Sequence, residues 1–176
     1  MMQNARRIGT QKYEIDGKDG TLQAQIEMPQ GLWTAKGAPL SDAIASAGFG
    51  DTPILTIMEK SYQIHRDWLY EKALISYYSI YLQDDAGHKI IEAKTPVEKR
   101  ASLICYKSAD FLVSPKSLFT FNYEVTNQER CVAHFKDVTP FLTFSARRLY
   151  SIETNTAEIE PLPLAFAFFL AVLGAY

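Results

Sequence analysis

Cysteine is scarce in this chain of 176 residues, with only Cys105 and Cys131 present. Two cysteines make no disulfide framework, and no secretory h-region follows Met1, so a reducing, cytoplasmic setting is expected. Excess charge is equally scarce. Lysine and arginine number 18 against 20 acidic residues, leaving a net charge of -2 and an isoelectric point near 5.9. Neutralising a phosphate backbone requires a cationic excess, so no nucleic-acid partner is expected. The chain also has no glycine-rich phosphate loop, no Ser/His/Asp arrangement and no paired-carboxylate spacing above chance. No catalytic residue, cofactor or metal is therefore expected, and the chain reads as a non-enzyme.

Two short constellations carry chemical letters without chemical context. His65-Arg66-Asp67 spells a kinase catalytic loop, but the Gly-rich loop, the downstream Asn and the Asp-Phe-Gly are missing. These residues are expected as exposed polar groups on a strand or hairpin. Cys131 and His134 have the two-residue gap of a metal pair. On a regular strand residues three apart face opposite ways, so sharing one ion would require a bulge.

A membrane-length hydrophobic run is missing too. From Pro161 to Tyr176 no side chain is charged, and nearly every position from Leu162 onward is apolar. A helix apolar all round must be enclosed by protein or by lipid. From Pro163 to Gly174 it spans roughly 18 Å, short of a hydrocarbon core of ~30 Å. Its near flank holds Glu158 and Glu160 rather than basic residues, and Pro163 suits a first helical position. A buried core helix over 161–175 is expected, with a membrane anchor as the alternative.

What is abundant is strand texture. Val, Ile, Thr, Tyr and Phe cluster in short runs between turn residues. Tyr13-Glu14-Ile15 and Leu22–Ile26 flank an Asp-Gly turn, which predicts a hairpin. Ile54–Lys60 with Tyr62–Trp68 predicts a second. Tyr77–Leu82 with Lys89–Ala93, turning at Asp84-Asp85-Ala86-Gly87, predicts a third. Ala101–Tyr106 is a further strand, and Leu118–Thr126 returns through Cys131–Phe135 after Asn127-Gln128-Glu129-Arg130. Pro140–Phe144 and Arg147–Glu153 complete ten to twelve strands. Three hairpins share a loose pattern with alanine on the returning strand: Tyr13-Glu14-Ile15 with Ala24, Ser79-Ile80-Tyr81 with Ala93, and Tyr123-Glu124-Val125 with Ala133. Residues 31–53 are expected to form a Gly/Pro-containing excursion, with Ser41 as the candidate cap of a short helix ended by Gly48.

Many alternating strands and one apolar helix fit a single domain over 1–176. Closing the strands into a barrel removes unpaired edges, and a barrel of this size is too wide for its own side chains to fill. The terminal helix supplies the filling, with Ala165, Ala167 and Ala171 allowing close approach. Phe166, Phe168, Phe169 and Leu170 would project into the wall. The expected fold is mainly β, a closed antiparallel barrel of about twelve strands around a central hydrophobic C-terminal helix.

On Glu158–Tyr176 as that helix, and on hairpins such as Tyr13–Ile26 and Tyr77–Ala93, the chain resembles the tubby C-terminal-like superfamily. That superfamily includes the LURP-one-related proteins and the phospholipid scramblases. The resemblance covers nearly the full length and is architectural, with no family binding motif matched residue by residue. It implies a noncatalytic domain that binds anionic lipid headgroups or associates with membrane. The scramblase branch is less favoured, because Met1–Gln11 has no proline.

The basic residues Lys94, Lys99, Arg100, Lys107, Lys116 and Arg147 are the candidate headgroup ligands, provided that they converge on one rim. A solvated surface is the alternative, since cations lie among as many anions. The expected partner is an anionic membrane surface, with the protein peripheral to it. A second reading is a protein-interaction domain that captures another protein through 31–53, with Leu32, Trp33, Ile44 and Phe49 as anchors. A third is a small-ligand-binding barrel, which needs an internal cavity.

Overall fold

A computed structural model describes residues 2–8, 12–17, 21–28, 52–70, 76–84, 86–96, 101–117, 120–140, 148–155 and 159–174. Twelve strands follow one another: β1 (Met2–Ile8), β2 (Lys12–Asp16), β3 (Leu22–Glu27), β4 (Ile54–Ile57), β5 (Lys60–Tyr70) and β6 (Ser76–Gln83). Then come β7 (Lys89–Pro96), β8 (Ser102–Tyr106), β9 (Ala109–Pro115), β10 (Asn122–Asn127), β11 (Arg130–Asp137) and β12 (Leu149–Thr154). The helix α1 (Pro161–Gly174) comes after them. Each strand pairs antiparallel with the next, and β12 pairs with β1, so the sheet closes into a barrel with no free edge.

Alternation along the strands sends apolar residues inward. Ile15, Ile26, Leu55, Ile64, Ile80, Leu82 and Ile91 are almost wholly buried. Charged side chains such as Glu14, Glu92, Lys94 and Glu124 alternate with them on the outer face. This polarity is the reverse of a lipid-spanning barrel, whose outer band is apolar. Among the described residues, no helix is long and apolar enough to cross a membrane.

The helix lies inside the wall. Leu164 through Val172 are all buried, so no face of α1 is left for water. Its side chains share one cluster with inward residues from all twelve strands, Ala5 of β1 through Ile152 of β12. The backbone of α1 comes nearest to β3 and β4 on one side and to β8 and β9 nearly opposite. Phe168 is the hub. Its ring meets Tyr13, Phe121, Phe135 and Tyr150 edge to face, with centroids 5.5–6.2 Å apart. The helix starts at Pro161 rather than Pro163, and Leu164 N–H donates to Glu160 O at 3.2 Å. Both prolines therefore lie in the first turn, where the missing N–H would have no partner within the helix.

Three hairpins carry a β-bulge on the returning strand next to the turn, at Gln23, Ile90 and Val132. They are β2–β3, β6–β7 and β10–β11, so the bulge recurs every fourth strand around the ring. The alanine pattern read from the sequence is a register fact: Ile15 faces Ala24, Ile80 faces Ala93, and Val125 faces Ala133. These inward alanines make room beside α1.

Several expected boundaries shift. The run Ile54–Lys60 is broken at Met58 and Glu59, whose φ values of 47° and 69° form a tight turn without glycine. Strands β1 and β9 add to the expected set. Ser114 and Pro115 belong to β9 and pair with Glu124 and Tyr123. Strand β10 begins at Asn122 and β12 at Leu149, while Pro140 lies outside any strand. The rest of the expected strand at 140–144, and the excursion at 31–53 apart from Thr52 and Pro53, fall outside the described residues.

Candidate functional surface

With its lumen filled by α1, the barrel presents its chemistry on the outer wall. The six cations expected to share a rim are placed as follows. Lys94 lies on β7, with its ammonium 5.5 Å from the Tyr77 ring centre. Lys107 sits in the β8–β9 turn with φ 54°, and its ammonium is 2.7 Å from Glu160 Oε1. Lys116 follows the other end of β9 and pairs with Glu124 Oε2 at 2.7 Å. Lys107 and Lys116 thus stand at opposite ends of one strand and do not share a site. Lys99, Arg100 and Arg147 lie outside the described residues.

The paired cations respond to their partners. The hydrogen bond to Glu160, with a further one involving Tyr106, holds Lys107 above its usual value and Glu160 below its own. Hydrogen bonding and charge from Glu124 raise Lys116 in the same way. Tyr106 also donates its hydroxyl to Glu160 at 3.0 Å, so the start of α1 is tied to the β8–β9 hairpin.

The densest polar chemistry runs across β5 to β9. His65, Tyr81, Glu92, Cys105 and Asp110 are successive cross-strand partners and form one outward row. His65 stacks on Tyr81 at 5.4 Å, and the Lys89 ammonium lies 4.1 Å from the same ring centre. Burial, followed by the hydrogen bond to Asp67, raises the Tyr81 hydroxyl. Burial works against ionised Glu92, yet it is held below the usual carboxylate range by hydrogen bonds from Ser79 and Lys89 and by the charges of Lys89 and Lys94. The thiol of the largely exposed Cys105 is pushed up, first by what burial it has and then by donating to Asp110. A raised thiol is a poor nucleophile at neutral pH. Tyr81 and Glu92 are held from outside the row, by Asp67 and by Ser79 and Lys89, while Cys105 and Asp110 hold each other within it.

Arg66 departs from the expected exposed triplet. It sits opposite inward Ile80 and therefore faces the lumen, with its guanidinium carbon 4.1 Å from the Tyr78 ring centre. His65 and Asp67 face outward.

The bulge at Val132 changes the Cys131–His134 geometry. It adds one residue, so both side chains now lie on the outer face. His134 Nε2 is 2.6 Å from Asn122 Oδ1, and its Nδ1 is 4.0 Å from Glu153. Cys131 instead donates weakly to Ala133 O at 3.4 Å. No group of three or more His, Cys, Asp or Glu able to hold a metal ion occurs among the described residues.

The row next to the polar one has a different character. Lys94 faces Leu103, and Leu103 faces Leu112. The two leucines are 40% and 41% exposed and stand side by side on the outer wall. Sequence reading found Lys94 but not the leucines, because only the register brings residues nine apart side by side. Compared with family models, curated proteins and solved structures, the chain finds no match.

Proposed function

We propose that this chain is a noncatalytic tubby-like, LURP-one-related domain that associates with anionic membrane surfaces through its outer wall. The family reading is supported by the architecture, since a closed twelve-stranded barrel around a hydrophobic C-terminal helix is what the resemblance implied. A noncatalytic role is supported by a lumen occupied by the chain's own helix and by Tyr81, Glu92 and Cys105 each being engaged by a neighbouring side chain.

The observation that carries the membrane reading is the row Lys94–Leu103–Leu112. A cation beside two exposed leucines suits the boundary between headgroups and acyl chains. One basic side chain near an anionic leaflet contributes about 1 kcal/mol, screened by salt. We place the protein in the cytoplasm, peripheral to the membrane.

Sedimentation with vesicles of phosphatidylserine and phosphatidylcholine, against phosphatidylcholine alone, tests the reading. The expected result is binding to the anionic vesicles that weakens with salt, with Lys94→Glu and with Leu103→Asp. Equal, negligible binding to both vesicle types overturns it.

A further inference from the structure

Away from that row, the outer wall of β3 to β6 carries two shallow concavities of about 480 and 500 Å³. Both volumes fall in the range of small-ligand sites. The first is lined by Ile54, Ser61, Gln63 and Gln83, with Asp84 and Gly87 of the β6–β7 turn beside them. The second is lined by Gln23, Gln25 and Thr56, with Leu22, Met58 and Glu59. Strand β4 separates them, offering Ile54 to one and Thr56 to the other. On the ridge between them, Thr56 Oγ1 and Ser61 Oγ lie 3.0 Å apart. From β3 to β6 is three inter-strand steps, or ~14 Å.

The chemistry of this wall is selective. Among the described residues neither concavity is lined by lysine or arginine, although the Lys60 ammonium lies 5.4 Å from the ring centre of Tyr62, which also lines the first. The Asp84 carboxylate is engaged by its own turn, accepting from Ala86 N at 3.0 Å and His88 N at 2.8 Å. What remains beside the Glu59 carboxylate is a set of carboxamides and hydroxyls that are partly engaged: Gln25 Nε2 donates to Glu27 Oε1, Gln83 Nε2 donates to Gly87 O at 3.2 Å, and Gln23 Oε1 accepts from Gln3 Nε2 at 3.1 Å. Each amide and hydroxyl keeps further donor or acceptor capacity. Beside them stand aliphatic side chains, with Leu22 53% and Met58 69% exposed. A ligand matching this wall is uncharged, rich in hydroxyls along its edges and apolar on its faces. An extended peptide is a poorer match, because a closed barrel offers no edge strand to pair with it.

We propose that the β3–β6 wall binds a neutral oligosaccharide, with Gln25 and Gln63 reading hydroxyls on either side of the Thr56–Ser61 ridge. The site is separate from the Lys94 row, so this proposal and the membrane reading stand or fall independently.

The test is a proton–nitrogen NMR titration of the full chain with maltotriose, cellotriose and chitotriose at millimolar concentration. At least one should shift the side-chain amides of Gln23, Gln25, Gln63 or Gln83, leaving Lys94 and Leu103 unmoved. Gln63→Leu should weaken that binding about fivefold or more, as expected for one lost hydrogen-bonding group. Ser61→Ala, a smaller change at an exposed position, should weaken it in the same direction and serves if the first variant does not fold. The proposal is overturned if all three sugars leave these amides unmoved, or if neither substitution alters binding. It is also overturned if a glycine–alanine tripeptide perturbs the same amides as strongly.

Discussion

Phe168 of α1 meets Phe135 of β11 edge to face, with ring centroids 5.5 Å apart and planes at 89°. Both rings are fully buried, and Phe168 touches three further aromatic rings. Phe168→Ala should cost about 3–5 kcal/mol in urea unfolding, the usual range for a buried phenylalanine. A double-mutant cycle with Phe135→Ala should show a coupling of about 0.5–1.5 kcal/mol. Strictly additive losses would mean that the pair contributes only its separate burial.

A charge in the lumen is a harsher probe. Phe169 is fully buried beside Phe166, with their centroids 6.2 Å apart. Phe169→Asp places an unpaired carboxylate there, so soluble expression should be lost. A folded, more soluble variant would instead place α1 outside the wall.

The expectations that held were those written in local periodicity. The apolar run 161–175 announced a helix with no wet face, and the hairpins around 16–20 and 84–87 carried glycine turns. Strand β1 was hidden because its inward positions are Gln3, Ala5 and Arg7, which break the apolar alternation. Strand β9 was hidden for the opposite reason: Phe111 and Val113 face in while Leu112 faces out, so both faces look apolar. The candidate surfaces were illegible for a geometric reason. Lys94–Leu103–Leu112 and Gln25–Thr56–Ser61 exist only once the register is set. The Val132 bulge likewise reverses a face assignment that regular alternation would give.

The turn at Met58-Glu59 holds two side-chain-bearing residues in the left-handed region. That conformation costs roughly 1–2 kcal/mol for an ordinary residue, and Asn-Gly is the preferred pair for it. Met58→Asn with Glu59→Gly should stabilise the protein by about 1 kcal/mol, raising Tm by roughly 2–4 °C. An unchanged or lower Tm in a calorimetric scan would show that the turn is not under strain.

His134 is held below its ordinary value of 6.5, first by burial and then by the charge of Lys136, with Glu153 opposing. The folded protein therefore takes up this proton less readily than the unfolded chain. Its stabilising contribution is complete above pH 6.5 and is lost as pH falls through that value toward the lower folded one. His134→Gln should flatten this part of the stability profile, measured as urea midpoints between pH 7.5 and 5. If the slopes of variant and parent coincide, another group carries it.

The Lys107–Glu160 pair is exposed, and its two shifts predict losses at opposite extremes. Glu160, held low, contributes above its ordinary pKa and loses that contribution as pH falls through its folded value. Lys107, held high, contributes below its ordinary pKa and loses it as pH rises. Glu160→Gln should lower the urea midpoint slightly at neutral pH and low salt, and the gap should close in high salt. A gap indifferent to salt would point to the Tyr106 hydrogen bond instead.

The position of α1 in the chain has a consequence for the order in which the molecule is made. All twelve strands precede the helix that their inner faces pack against, so during synthesis the wall emerges before its filling. Until α1 follows, Ile26, Leu55, Ile64 and Leu82 have no helix to cover them, and β1 must still wait for β12 to close the ring. The nascent chain is thus left with exposed apolar surface and open strand edges, the conditions under which partly made proteins associate with one another. Holding it back from premature pairing becomes a task for the cell, and the arrival of α1 becomes the moment at which the barrel first has something to fold around.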